Sequence, residues 1–339
     1  MREDPGLDTA AIAACLREQY EIDVAAVTYL PIGYDLNAAV YDVRASDGTP
    51  SFVKVRFGPV FEPGLDVPRA LIDRGVPNIL APLRTCAGAL WCPLDASTGH
   101  TVVVYPFIRG ENAMEAGMSA AQWREFGSTL RAVHDSGLGE TFRDRLRVED
   151  FALPSAVLVR EMLTVAETEA FASPAATRFA GFWQEQAGRI QAMLTRAEAL
   201  GMELQAKAFD LVLCHADIHA ANILVGDDGG ITLIDWDGPM LAPRERDLLF
   251  VVGSTIARAV DPREEAWFFE GYGPVEIDPD ALVYYRYERI IEDIGEMGRS
   301  VFLDPERGEA ARQEEVDLAM SFFAPRADID RAETVVIHR

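Results

Sequence analysis

Hydrophobic positions alternate with polar ones through most of the first hundred residues and recur every three or four from Ser119 onward, the periods of strands and of amphipathic helices. At the front, Ile12, Leu16 and Tyr20 share one face behind Asp8, which predicts a capped helix closing near Tyr20. Residues 24–30, 38–44 and 51–57 alternate as strands, the last two joined by the turn-forming pair Asp47-Gly48. Pro63, Gly64 and Pro68 argue against a regular helix after the third strand. Strands are expected again at 89–92 and 101–105, the second running through Pro106 into a short connector. Ser119 then caps a helix over 120–135 whose Trp123, Phe126, Leu130 and Val133 make the buried stripe, with His134 as a packed or capping residue. A long helical stretch covers about 154–200. The fold class is therefore α+β, with an antiparallel sheet region at 1–104, a connector at 105–112 and a mainly helical region at 113–339.

Inside the third strand, Lys54 stands between Val53 and Val55, where an ammonium either leaves by a solvated face or meets an anion. Glu62 and Asp66 are candidate partners, and Glu62 is preferred.

The segment His215-Ala-Asp-Ile-His-Ala-Ala-Asn222 precedes an apolar run, 231–234, that ends in Asp235. This spacing suits phosphoryl transfer: Asp217 to orient a hydroxyl and take its proton, Asn222 and Asp235 to offer oxygen to Mg²⁺, and Lys54 to grip the α and β phosphates of ATP. The turn holding Gly33, Asp35 and Asn37 can face phosphate oxygens with backbone N–H groups, although a single glycine makes it unlike the glycine-rich flap of protein kinases. Backbone groups from Tyr105 to Phe107 are expected to meet adenine. A rival use is a zinc hydrolase site built on His215, Asp217 and His219, which leaves Asn222 and Asp235 without a task. A nucleotide-binding module without turnover is the other alternative; the intact Lys, Asp, Asn and Asp set argues against it. Only eleven residues separate Asp235 from Asp247. That leaves no docking platform for a protein substrate and points to a small-molecule acceptor.

Composition narrows the field. The 339 residues are 49% hydrophobic and 25% charged, with no run near ~20 apolar residues and no apolar leader after the first Met, so a cytoplasmic location away from membranes is expected. A net charge of -24 opposes nucleic acid and anionic membrane and favours a small cationic partner; no obligate protein partner is evident. Four cysteines lack paired metal spacing and read as buried free thiols.

His215 to Asn222, Ile234-Asp-Trp-Asp237 and Pro243-Arg-Glu-Arg-Asp-Leu248 resemble the signature blocks of the aminoglycoside phosphotransferase family. The resemblance implies a two-lobed protein-kinase-like fold, ATP and Mg²⁺ as cofactors, Asp217 as catalytic base, Asn222 and Asp235 as metal ligands, and Asp247 as a structural anchor. Ala216 departs from the glycine common in the family's His-Gly-Asp block, which a methyl tolerates if φ is negative. The implied acceptor is an aminocyclitol or aminoglycoside, whose ammonium groups Asp237, Glu292 and Asp293 would meet. Glu288 and Glu292 lie one turn apart on a probable helix with Arg286 and Arg289 nearby, so a salt-bridged helix is the other reading there. Choline, homoserine or a sugar remain alternative acceptors.

Overall fold

The computed structural model describes residues 4–32, 37–95, 99–325 and 327–338. Contacts group the chain into two units, one of residues 1–147, 215–240 and 267–273, the other of 148–214, 241–266 and 274–339.

The first unit opens with α1 (Thr9–Tyr20), where Asp8 accepts the Ala10 N–H at 2.8 Å as N-cap and Glu21, at φ 56°, ends the helix. It covers an antiparallel sheet of β1 (Val24–Leu30), β2 (Ala38–Ala45), β3 (Pro50–Phe57), β4 (Cys92–Pro93) and β5 (His100–Pro106), in the order β1-β2-β3-β5-β4. Alternation along β3 separates two faces. Val53 and Val55 join Ile12, Leu16, Tyr41, Val102 and Val104 in the core beneath α1, while Phe52, Lys54 and Arg56 take the other side. On that side Val103, paired with Lys54 across the ladder, packs with Leu65 and Tyr105.

Residues 63–73 form a regular helix, α2 (Pro63–Asp73), where none was expected. Pro63 occupies the first turn, whose N–H groups have no helical partner, and Pro68 lies inside. Leu65, Val67 and Leu71 are buried, each gaining about 1.5–3 kcal/mol, which together outweigh the roughly 3 kcal/mol an internal proline costs. A second sheet in this unit sets Ile231–Leu233 beside Ile223–Gly226, and that strand beside β6 (Gly110–Asn112). Helix Ala120–His134 begins with a capping box between Ser119 and Gln122 and buries the expected stripe. His134 is a packed residue, its Nδ1 2.6 Å from the Tyr272 hydroxyl.

The second unit is mainly helical. Ser155–Thr168 and Pro174–Gln205 pack against Pro279–Leu303, so the long stretch is two helices joined near 169–173. Arg246 and Glu288 form a buried ion pair, with the guanidinium 5.6 Å from the Tyr285 ring. Asp247 is fully buried in the short helix Glu245–Leu248. Among the cysteines, Cys15, Cys92 and Cys214 are buried free thiols as expected, whereas Cys86 is exposed.

Candidate active site

The hairpin Ile223–Gly226/Ile231–Leu233 has a register of Ile231 with Val225 and Leu233 with Ile223. Continued by one rung, it sets Ile234 against Asn222, and the Ile234 N–H donates to the Asn222 carbonyl at 3.0 Å. Leu233 is held from its other side, its N–H donating to Asn78 O at 2.7 Å and its carbonyl accepting from Leu80 at 2.9 Å. The strand end that carries Asp235 is thus bonded on both edges.

His215 ties this strand to the loop before Asn222. It is fully buried; its Nδ1 accepts the Asp217 N–H at 3.3 Å, so Nε2 carries the proton and donates to Ile234 O at 2.8 Å. Both ring nitrogens serve the backbone, which removes His215 from any zinc site. The Trp236 ring lies 4.5 Å away. The Asn222 side-chain Nδ2 donates to Asp217 O at 2.8 Å, leaving Oδ1 as its remaining acceptor. The Asp217 carboxylate is partly exposed, 3.6 Å from His219 Nε2.

Two residues here have left-handed backbone, Ala216 at φ 72° and Asp235 at φ 63°. Ala216 does not meet the condition of a negative φ under which a methyl is readily tolerated: the loop turns sharply enough that a glycine would suit it sterically. Non-glycine residues held in this region cluster where surrounding bonds over-determine them, as His215 and Asn222 do here.

The carboxylate at Lys54 is also corrected. Asp237 Oδ2 lies 3.1 Å from Lys54 Nζ and 3.4 Å from Arg56 Nη1, both cations coming from the same face of β3. Glu62 stands 3.5 Å from Arg145, which also binds Asp66. Asp237, expected among the acids for a cationic acceptor, is therefore engaged by two cations of the sheet. Burial pushes its carboxyl up, but Lys54 and Arg56 outweigh this and hold it below the usual range. Asp235 shifts the other way: burial and then the Asp237 charge raise it against Lys54, and Asp217 adds to the rise. The position thus gathers negative charge that a hard divalent cation would relieve. Such an ion takes oxygen donors of the kind that the Asp235 carboxylate and Asn222 Oδ1 could offer.

Tyr105 is the next-to-last residue of β5, beside this cluster; burial, then Asp237, pushes its phenol up. Phe107 lies in the connector with Arg44 5.4 Å from its ring centre. Asn37 is described and exposed, its carbonyl accepting the Phe57 N–H at 2.7 Å, whereas Gly33 and Asp35 lie outside the described residues. In the second unit, Asp293 pairs with Arg289 one turn away at 3.0 Å, as the salt-bridged reading has it, whereas Glu288 is buried and pairs with Arg246 of another helix. Glu292, which is half-buried, makes no ion pair among the described residues. Arg56 was missed as a site residue, although its place two residues after Lys54 on an alternating strand is a signal for it.

The family model for the phosphotransferase enzyme family matches residues 29–284. No curated protein sequence matches the chain. Among solved structures, the chain is similar to a spectinomycin phosphotransferase in complex with ADP and spectinomycin, at 30% identity and a TM-score of 0.87, covering 98% of this chain and 99% of that one. An amicoumacin kinase in complex with AMP-PNP and Ca²⁺ (16% identity, TM-score 0.59, 98% and 95% covered) shares the fold. So does a choline kinase from Streptococcus pneumoniae, at 14% identity and a TM-score of 0.53 with 92% and 98% covered.

Proposed function

Because the chain belongs to the phosphotransferase enzyme family, we propose that it transfers the γ-phosphoryl group of ATP to a hydroxyl of a small cationic aminocyclitol or aminoglycoside, with the 9-hydroxyl of spectinomycin as acceptor and antibiotic resistance as the outcome. The observation that supports this reading most is the hydrogen bond from the Ile234 N–H to the Asn222 carbonyl, which ties the backbone just before Asp235 to the loop of Asp217 and Asn222, together with the ion pair of Lys54 with Asp237 two residues further on. The acceptor rests on 30% identity over nearly the full length to a spectinomycin phosphotransferase and on a net charge of -24.

In the proposed reaction the acceptor oxygen bonds to the γ phosphorus as the bond to the β–γ bridging oxygen breaks. ADP leaves, and the hydroxyl proton passes to Asp217. Asp217 is suited to this because its backbone is fixed by His215 and Asn222 while its carboxylate stays partly exposed. Lys54 neutralises charge on the phosphates. Asn222 and Asp235 would hold Mg²⁺, which supplies further neutralisation of phosphate charge when bound. The connector at 105–112 is the proposed hinge, with backbone groups of Tyr105 to Phe107 holding adenine. Glu292 is the acidic group proposed to meet an acceptor ammonium.

The test is ADP release by the purified chain with ATP, Mg²⁺ and a panel of spectinomycin, aminoglycosides, choline, homoserine and sugars. Turnover with spectinomycin and resistance of an expressing strain support the reading. ADP release with choline or a sugar alone would move the acceptor to that class and leave the phosphotransfer assignment standing. Among the described residues no helix is long and apolar enough to cross a membrane.

A further inference from the structure

We propose that Arg56 is a second phosphate-binding cation and that Asp237, rather than a carboxylate of α2, is the group that positions both it and Lys54. This rests on the phosphotransfer reading above. Lys54 and Arg56 are two residues apart on an alternating strand, which sets them about 7 Å apart along one face. Their side chains are only 15% and 19% exposed, and both reach the Asp237 carboxylate, which is 47% exposed. Asp237 follows Asp235 by two residues. A phosphate anion that meets this face of β3 is therefore offered two cations rather than one.

The helix that would otherwise supply the partner is committed elsewhere. Glu62 and Asp66 both turn to Arg145. The start of α2 is instead pressed against the loop that carries Asp237: a Cβ built on Gly64 would stand 2.8 Å from the Trp236 carbonyl oxygen and 3.6 Å from Asp237 Cα. Glycine at 64 allows that approach, so α2 braces the backbone of the loop while the loop's own carboxylate holds the cations. When a nucleoside triphosphate enters, its phosphate oxygens compete with Asp237 for the two cations. Arg56 is suited to this exchange because its planar fork meets two phosphate oxygens at once.

The experiment uses the full chain and its Arg56→Gln, Arg56→Lys and Asp237→Asn variants, with calorimetric titration of ATP, ADP and adenosine beside steady-state kinetics. Arg56→Gln is expected to weaken ATP and ADP about tenfold or more, the loss of one charge-assisted contact, while adenosine binds as before. Arg56→Lys recovers part of that loss. Asp237→Asn is expected to lower kcat about tenfold without raising KM for ATP, because it removes a positioning group that competes with phosphate. Unchanged ATP and ADP binding in Arg56→Gln overturns the proposal, as does a parallel loss of adenosine, which would mark a fold defect. Failure of the wild-type chain to bind ATP would instead sink the phosphotransfer reading on which it stands.

Discussion

His215 donates from Nε2 to the carbonyl of Ile234 at 2.8 Å, and this one bond joins the loop holding Asp217 to the strand end holding Asp235. The ring is buried and its other nitrogen accepts the Asp217 N–H, so the imidazole works as a strut between two acidic residues. Placing them depends on backbone geometry, and the proposed chemistry is left to the carboxylates.

Asp217→Asn is expected to lower kcat by about 10²–10⁴-fold, the range for removing a general base, while ADP binding stays within about twofold. Single-turnover kinetics and an ADP titration check the two halves. Full turnover in this variant would remove Asp217 from the mechanism.

Glu62→Gln is expected to change kcat/KM for ATP by no more than about twofold, whereas Lys54→Met costs about a hundredfold or more. The difference follows from Glu62 facing Arg145 and Lys54 facing Asp237. Equal losses in the two variants would return the lysine's partner to α2.

Ala216→Val places a β-branched side chain at φ 72° and is expected to cost about 2 kcal/mol or more, seen as a lower denaturation midpoint. Ala216→Gly is expected to be close to neutral. It relieves roughly 1–2 kcal/mol of left-handed strain, but it loses a buried methyl worth ~0.8 kcal/mol and adds about 0.4–1 kcal/mol of unfolded-state freedom. A stabilisation above ~2 kcal/mol in the glycine variant would show that the strain is larger than this balance assumes.

Glu288→Gln leaves the Arg246 guanidinium buried without its anion and is expected to destabilise by about 3–5 kcal/mol. Replacing both residues by Met and Leu costs less, because no charge is then stranded. Chemical denaturation of the three proteins separates these cases; a double variant as unstable as the single one would point to lost packing instead.

Asp278 caps the helix Pro279–Leu303 through the N–H groups of Asp280 and Ala281 and lies 2.8 Å from Lys207. Burial pushes its carboxyl up, but the Lys207 contact and the backbone donors outweigh that and hold it below the usual range. A depressed carboxylate stabilises the fold above its unfolded pKa of about 3.9, and the contribution is lost as pH falls through the lower folded value. Asp278→Asn keeps the cap but not the charge. Its stability deficit of about 0.5–1 kcal/mol at neutral pH should therefore shrink below about pH 4. A deficit that persists in acid would assign it to the hydrogen bonds rather than to the charge.

Much of the candidate site's local placement was legible because its parts are close in sequence. Asp217, Asn222 and Asp235 lie within one loop and one hairpin, and the register of a short hairpin follows from its turn and its apolar positions. The caps at Asp8 and Ser119 and the stripe on helix Ala120–His134 were readable for the same reason. The α2 helix was not. Local propensity around Pro63, Gly64 and Pro68 opposes it, and only the burial of Leu65, Val67 and Leu71 overturns that preference.

By itself, then, the chain's order of residues determined the strand alternation, the helix caps and the spacing of the proposed catalytic and metal groups, since each depends on neighbours a few positions away. The partner of Lys54 was decided by the tertiary structure: it lies 183 positions from Asp237 along the chain, and Glu62 is drawn off by Arg145. The left-handed turn at Ala216 belongs to the same class. Its cost is visible only once His215 and Asn222 are seen to hold the loop there, because the energy of a non-local contact depends on which groups folding brings within reach of one another.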